Sequence, residues 1–301
     1  MKLEKYLFVY LALLVPMGLF IIFVLSPYAQ AVWYSFTDWE GFTAQKNFIG
    51  LDQYIRLFQD ERFYSAALNT FKLAAFVPII TIGLALFFAS MLNFGSSSRR
   101  IGFIGGARGT GFYRVIYFFP QVMSVAITAV LWQSVFNPVN GILTSIVRFL
   151  GLPERIWLND PETALAAVGV VMIWGGVGFY LIILSAAMAG VPRELYEAAI
   201  IDGASKSKQF FHITLPGIRE AIVLCLIYAL IGALDGFALV QIMTIGPGGP
   251  DGATTVLGYF LYDQAFVASN YGYASAIGVV LAIMSIAIAL LARAFATEKG
   301  A

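Results

Sequence analysis

Three polar side chains interrupt a long apolar stretch late in the chain, and their types suit the binding of a polar solute. Tyr228, Asp235 and Gln241 lie within about residues 221–245. An ionised carboxylate in an apolar span is costly unless it is paired or hydrated, so Asp235 should face a helix interface or a cavity. There it would accept hydrogen bonds from hydroxyl or amide N–H groups, while Gln241 can donate and accept and Tyr228 offers an aromatic face. A hydrogen bond to a neighbouring helix is an equally open role for Asp235.

The helix geometry of this stretch decides which of these side chains share a face. In one continuous helix, Gln241 would lie about 60° around the axis from Asp235. A second polar set, Gln121, Ser124 and Thr128, has the i, i+3, i+7 spacing of one helix face. Such a stripe more often joins helices than binds a ligand.

The motifs of hydrolytic and metal-dependent enzymes are missing from the sequence. It has no H-E-x-x-H motif, no paired cysteines and no nucleophile elbow, and His212 and Cys225 are its only histidine and cysteine. The glycine-rich stretch GSSSRRIGFIGGARGTG lacks the Lys-Ser/Thr pair and the preceding strand of a phosphate loop. The sequence therefore predicts no catalytic residue, no metal site and no cofactor, and any ATP chemistry must belong to another polypeptide.

A polar segment, Glu197–Pro216, separates two apolar runs and has the signals of two short helices joined by a turn. Pro192 suits a first helical turn, where its missing N–H is not needed. Gly203 stands where a helix commonly ends in a left-handed residue. A second helix over about Lys206–His212 would follow, and Pro216 would begin the next long helix. We therefore expect a helix–turn–helix segment that is too polar to enter a bilayer.

The composition is that of an integral membrane protein. Of 301 residues, 60% are hydrophobic and 12% are charged, with a net charge of +1 and a mean hydropathy of +0.83. A soluble domain has about a quarter charged residues. No basic run suggests nucleic acid as a partner. The sequence predicts an all-α membrane protein with about six spans of about 20 residues or more, at about Tyr6–Val32, Ala66–Leu92, Phe112–Val135, Ala164–Ala189, Ala221–Ile245 and Ala274–Phe295.

The distribution of basic residues predicts the orientation of these spans. With the N-terminus inside, about two thirds of the 18 Lys and Arg residues fall in inner segments. Both termini and Glu197–Pro216 would then face the cytoplasm. In the first outer segment, Leu51, Tyr54, Ile55 and Phe58 share a helical face, which predicts a short helix on the outer surface.

The spacing E-A-A, three residues, G, nine residues, I-x-L-P resembles the cytoplasmic loop of permease subunits in binding-protein-dependent ABC importers. It is met by Glu197, Ala198, Ala199, Gly203, Ile213, Leu215 and Pro216. The resemblance implies that this loop docks into a groove on an ATPase subunit and transmits its closure to the pore. Phe210 and Phe211 are adjacent aromatics on the same loop, and we expect one to enter that groove and the other to pack against the spans of this chain.

Other stretches resemble the maltose-type group of carbohydrate importers. Thr244 with Gly248-Gly249-Pro250 is similar to the T-x-G-G-P segment after the fifth span, with Gly246 and Pro247 as extra residues. FALVQIMTIGPGGPD is similar to permeases for N-acetylglucosamine and chitobiose uptake. The resemblance implies a pore subunit of an ATP-driven importer for an oligosaccharide or amino sugar. Its partners would be a related second permease, two copies of a cytoplasmic ATPase, an external sugar-binding protein, the sugar and membrane lipid.

The expected organisation is a first span with an outer amphipathic segment (1–65), a five-span permease core (66–296) containing the coupling loop 190–219, and a short cytoplasmic tail (297–301). The expected location is the bacterial plasma membrane. An ion-gradient-driven secondary carrier is the alternative, although such carriers often show intramembrane charge relays or inverted repeats. This chain has one acid within its apolar spans and no evident repeat.

Overall fold

The computed structural model describes residues 2–42, 45–94, 110–244, 246 and 248–297. Most of the glycine-rich stretch and all but the first residue of the predicted tail lie outside these residues. The described α-helices are, in chain order, α1 Lys2–Phe20, α2 Ser26–Tyr34, α3 Asp52–Leu57, α4 Glu61–Phe94, α5 Thr110–Val122, α6 Val125–Val135, α7 Ile142–Phe149, α8 Ala164–Ala189, α9 Arg193–Ile201, α10 Lys206–Gln209, α11 Leu215–Gly217, α12 Arg219–Leu234, α13 Phe237–Met243, α14 Leu257–Tyr262 and α15 Tyr271–Thr297.

Four stretches in the described ranges are long and apolar enough to cross a membrane. They are Tyr10–Tyr34, Glu61–Leu92, Ala164–Ala189 and Tyr271–Leu291. Two bent helix pairs bring the number to six if each pair counts as one span. The pairs are Val115–Val122 with Val125–Val135, bent by 108°, and Lys206–Gly217 with Arg219–Leu234, bent by 68°. The prediction of an all-α membrane protein is therefore confirmed.

The chain divides into two compact units, of which the first comprises Met1–Tyr64 and Phe260–Met284. It contains the predicted short helix, α3. Ile55 within α3 and Leu51 and Phe58 at its two ends are exposed, as the predicted apolar face requires. Tyr54 is only half-exposed, because its hydroxyl lies 2.7 Å from Ser35 Oγ.

Two polar contacts join the distant parts of this first unit. The Tyr273 hydroxyl donates to Asp60 Oδ2 at 2.7 Å. Arg62 Nη2 forms an ion pair with Asp263 Oδ2 at 2.9 Å. Because the partners are about 200 residues apart in sequence, these contacts connect the two chain segments that make up the unit.

The second unit comprises Ser65–Tyr259 and Ser285–Ala301 and is built around α8. This helix is apolar on all sides, as its sequence ALAAVGVVMIWGGVGFYLIILSAAMA shows, and such a helix is expected to be buried. One half of it packs in an apolar cluster with Leu73, Val240 and Met243. Its other half packs in a second cluster with Ala85 and Tyr196.

Gly178 explains how closely a neighbouring helix approaches α8. A Cβ atom built on Gly178 would overlap the backbone carbonyl of Tyr117 in α5. Only glycine allows two helix backbones to approach so closely, so this residue fixes the crossing of α5 and α8.

Candidate functional site

The polar segment predicted from the sequence folds as an elbow, Arg193–Gly217, with two arms. The first arm is α9, and it ends in a left-handed residue as predicted, since Gly203 has φ +71°. The N–H of Gly203 donates to the carbonyl of Ile200 at 3.0 Å, and that of Ala204 donates to Ala199 at 2.8 Å. This pair of bonds is the Schellman motif, which satisfies carbonyls left free at a helix end.

The second arm begins where Ser205 caps α10. The Ser205 hydroxyl accepts from the N–H of Lys208, and the Gln209 side chain donates to the carbonyl of Ala204 at 3.0 Å. The two arms are tied by Tyr196 and Thr214, whose hydroxyl oxygens lie 2.9 Å apart. Burial raises the pKa of the Tyr196 phenol above its ordinary value.

In the rest of the second arm, the structure differs from two predictions made from the sequence. The α-helix ends at Gln209 rather than His212, because a wide π-type turn occupies Phe210–Thr214, with the N–H of Leu215 donating to Phe210. Pro216 lies in the short helix α11 and does not begin the next long helix, which starts at Arg219 after a break at Ile218. Proline has no N–H to donate to the preceding turn, so the regular helix cannot continue through it unchanged.

The elbow packs one face on the membrane helices and exposes the other. Phe210 packs against the same apolar cluster as Tyr196, whereas the neighbouring Phe211 is 60% exposed. Glu197, Ala198, Gly203 and Pro216 are exposed, and Ala199 and Leu215 are half-buried.

Three exposed apolar residues of α9 were not predicted from the sequence. Ile201, at the end of α9, is 86% exposed, and Leu195 and Ile200 are also exposed. For Ile201 the sequence offers a signal, because this residue directly precedes the polar turn at Asp202 and Gly203. With Phe211, the three residues give a polar segment an apolar surface of the kind that binds another protein.

A second candidate site is a cavity of about 560 Å³ within the second unit. Tyr228 and Asp235 both line it, together with Gln121 and Thr128 from the third predicted span. Gln241 does not line this cavity.

Gln241 does not reach the cavity because the fifth predicted span is broken. A continuous helix over Ala221–Ile245 is wrong, because α12 ends at Leu234 and α13 begins at Phe237. Asp235 and Gly236 form the connection, with backbone dihedrals outside the helical range. Glycine is a poor helix former, which favours an end at this point. The angle of 60° between Asp235 and Gln241 therefore does not apply.

The third predicted span is broken as well. The chain bends at Ser124, whose hydroxyl accepts from the N–H of Ile127 at 3.3 Å and caps α6. The Ser124 side chain is thus used to cap a helix, while Gln121 and Thr128 line the cavity on either side of the bend.

The side chains around the cavity suit a neutral polyhydroxylated solute. Asp235 accepts hydrogen bonds, Gln121 and Thr128 donate and accept, and Tyr228 offers a ring that is 62% exposed. Phe179 lies beside Tyr228, with ring centroids 5.7 Å apart. No cluster of three or more His, Cys, Asp or Glu side chains that would hold a metal ion occurs in the described residues.

Comparisons with known proteins agree with this architecture. Residues 57–298 match the family described as the binding-protein-dependent transport system inner membrane component. The chain is 43% identical over 280 residues to the diacetylchitobiose uptake system permease protein NgcF of Streptomyces coelicolor, covering 92% of this chain and 78% of that protein. It is 33% identical over 275 residues to the multiple sugar-binding transport system permease protein MsmF of Streptococcus mutans, covering 90% and 89%.

Solved structures show the same fold. The chain aligns with the crystal structure of a bacterial ABC transporter involved in the import of the acidic polysaccharide alginate, with a TM-score of 0.83 and 24% identity. The alignment covers 100% of this chain and 98% of that chain. A related alginate transporter structure includes an alginate pentasaccharide-bound periplasmic protein.

Proposed function

Because the chain belongs to the family of binding-protein-dependent transport system inner membrane components, we propose that it forms half of the translocation pathway of an ATP-driven sugar importer. It is a non-catalytic transport subunit of the membrane, and a partner chain hydrolyses ATP. The family assignment also decides against an ion-gradient-driven secondary carrier.

The substrate in this proposal is an amino sugar or a short chitin-type oligosaccharide. The observation that carries it is the identity of 43%, over 92% of this chain, with a permease for diacetylchitobiose uptake. Such a sugar presents hydroxyl groups and acetamido N–H groups, and the Asp235 carboxylate can accept from either. The cavity of about 560 Å³ is within the range of about 300–1,000 Å³ that is typical of ligand pockets.

Coupling to ATP hydrolysis passes through the elbow in this proposal. The exposed face with Glu197, Ile201 and Phe211 docks on a cytoplasmic ATPase, while the face with Tyr196 and Phe210 transmits the movement to the spans. The supporting contacts are the Schellman turn, the Tyr196–Thr214 hydrogen bond and the packing of Phe210 on the cluster that contains α8. A rigid elbow of this kind converts movement at its tip into movement of the helices beneath it.

The complete importer would contain a related second permease, two copies of the ATPase and an external sugar-binding protein. In this arrangement the chain lies in the bacterial plasma membrane with both termini and the elbow in the cytoplasm, as the distribution of basic residues favours.

Reconstituted uptake tests the proposal. The chain, purified with the permease and ATPase that accompany it, is placed in liposomes with the binding protein and radiolabelled diacetylchitobiose. We expect uptake that requires ATP and is indifferent to an imposed proton or sodium gradient. Uptake by this chain alone, driven by an ion gradient, would overturn the proposal.

A pair of substitutions tests the cavity. We expect Asp235→Asn to lower transport at least tenfold, or about 1.4 kcal/mol, without loss of assembly, because the amide is a weaker acceptor. Gln241→Leu, outside the cavity, should transport at the normal rate. Normal transport by Asp235→Asn would remove the carboxylate from the pathway, and loss of assembly would identify it as a tie between helices.

A further inference from the structure

A groove of about 520 Å³ lies between α4 and α8 on the second unit, apart from the cavity that contains Asp235. Phe76 and Ile80 from α4 and Val170 from α8 line it with exposed apolar side chains. Gly169 also lines the groove, and a Cβ atom built there would lie 3.5 Å from Leu73 Cδ2. This distance is an ordinary van der Waals contact, so α4 and α8 pack closely at Gly169.

One end of this groove carries a free cation. Lys72 lines the groove, is exposed, and forms no ion pair or hydrogen bond among the described residues. Glu162 also lines the groove, but its carboxylate is paired with Arg155, with Oε2 and Nη1 3.8 Å apart. Asn69 lies one turn earlier on α4, but its side-chain N–H groups donate to the carbonyls of Ala253 and Thr255, at 3.0 and 3.1 Å. The Asn69 side chain thus connects α4 to the backbone at Ala253 and Thr255. The ammonium of Lys72 remains available to bind a ligand.

The depth of Lys72 in the membrane follows from the sequence of α4. Residues 73–92 carry no charged side chain, and about 20 helical residues extend about 30 Å, the thickness of the hydrocarbon core. This places Lys72, which lies about three turns after the start of α4 at Glu61, at the headgroup level. Phe76 and Ile80 lie one and two turns below it, at the level of the acyl chains.

We propose that this groove is a binding site for a phospholipid, with the phosphate held by Lys72 and one acyl chain lying along Phe76, Ile80 and Val170. The charge favours a lipid over a helix of another subunit. A partner helix without an acidic residue at this level would bury Lys72 unpaired, which is costly in a membrane. A phospholipid brings an anion at the depth of Lys72 and an apolar chain below it.

The site predicts two kinds of variant with separate effects. Lys72→Gln removes the cation and keeps the apolar groove, whereas Lys72→Arg keeps the charge. Ala166→Phe fills the groove, because Ala166 is an exposed lining residue on α8. Ala186→Phe is the matched control, since Ala186 is exposed on the same helix and does not line the groove.

Native mass spectrometry of the importer complex released from detergent measures the binding. The probes are a phosphatidylglycerol and a diacylglycerol with the same acyl chains, added at increasing concentration. For Lys72→Gln we expect a dissociation constant for phosphatidylglycerol about fivefold higher than in the wild type, because one Lys near a membrane surface contributes about that factor. Lys72→Arg should bind phosphatidylglycerol as the wild type does. The diacylglycerol, which has no phosphate, should bind equally weakly to the wild type and to Lys72→Gln.

Filling the groove should remove one bound phosphatidylglycerol per copy of this chain in Ala166→Phe and none in Ala186→Phe. Equal lipid binding by the wild type, Lys72→Gln and Ala166→Phe would overturn the proposal. So would loss of the second permease from the Ala166→Phe complex with unchanged lipid binding by Lys72→Gln, because a protein would then cover the groove. If Ala166→Phe fails to assemble, the comparison of Lys72→Gln with Lys72→Arg still decides.

Discussion

Replacing Gly203 by valine tests whether the left-handed turn of the elbow is needed for coupling. Gly203 has φ +71°, and a Cβ atom built there meets no atom within 4 Å. The cost of valine is therefore backbone strain alone, about 1–2 kcal/mol for a side chain with a Cβ atom in this region. Asparagine tolerates the same conformation, so Gly203→Asn should cost much less.

This strain lowers the stability of the elbow in the conformation that the structure shows. An energy of about 1–2 kcal/mol changes an equilibrium by a factor of about 5 to 30. If the ATPase binds only the native elbow, its apparent affinity falls in proportion to the fraction of elbows that remain native. We therefore expect ATPase binding up to about 30-fold weaker in Gly203→Val and nearly unchanged in Gly203→Asn.

The assay is titration of the purified permease complex with labelled ATPase subunit. Gly151→Val is the matched control, because Gly151 has φ +67°, also has no atom within 4 Å of a built Cβ, and lies outside the elbow. It should carry similar strain without weakening ATPase binding. Equal affinities of the two Gly203 variants, or an equal loss in Gly151→Val, would refute the reasoning.

Three further predictions follow from packing and hydrogen bonds. Phe211→Ala should uncouple ATP hydrolysis from transport at normal expression, whereas Phe210→Ala should lower the melting temperature; wild-type uptake by the double variant would contradict the first expectation, and an unchanged melting temperature of Phe210→Ala would contradict the second. Gly178→Leu should prevent the crossing of α5 and α8, so that little folded protein appears in size-exclusion chromatography, and a normal yield would contradict the close approach of the helices. Tyr273→Phe removes a hydrogen bond to a carboxylate at 2.7 Å and should destabilise the first unit by about 1.5–3 kcal/mol, seen as a lower melting temperature; an unchanged melting temperature would show the bond to be dispensable.

Local signals in the sequence were sufficient for the class of protein and for the turn of the elbow. Apolar runs long enough to cross a bilayer are a property of composition alone, and they predicted the all-α membrane fold. Gly203 after a helical run predicted a left-handed helix end because glycine has no Cβ penalty there, and φ +71° confirms it. The resemblance of the elbow to a permease loop likewise depended on residues close together in sequence.

The breaks in the spans were decided only by the tertiary structure. The hydropathy of the sequence does not reveal the break at Asp235 and Gly236, because apolar residues lie on both sides of them. The helix α13 beyond the break is instead held by a distant partner, since Gln133 Nε2 donates to the carbonyls of Ile242 and Met243 at 2.7 and 3.3 Å.

These contacts also decided which residues share the cavity. They hold α13 against α6. In this arrangement the cavity is lined by Tyr228, Asp235, Gln121 and Thr128, and Gln241 does not line it. A hydrogen bond across more than 100 residues leaves no periodic trace in the sequence, so the direction of a helix after a break cannot be read from its own residues.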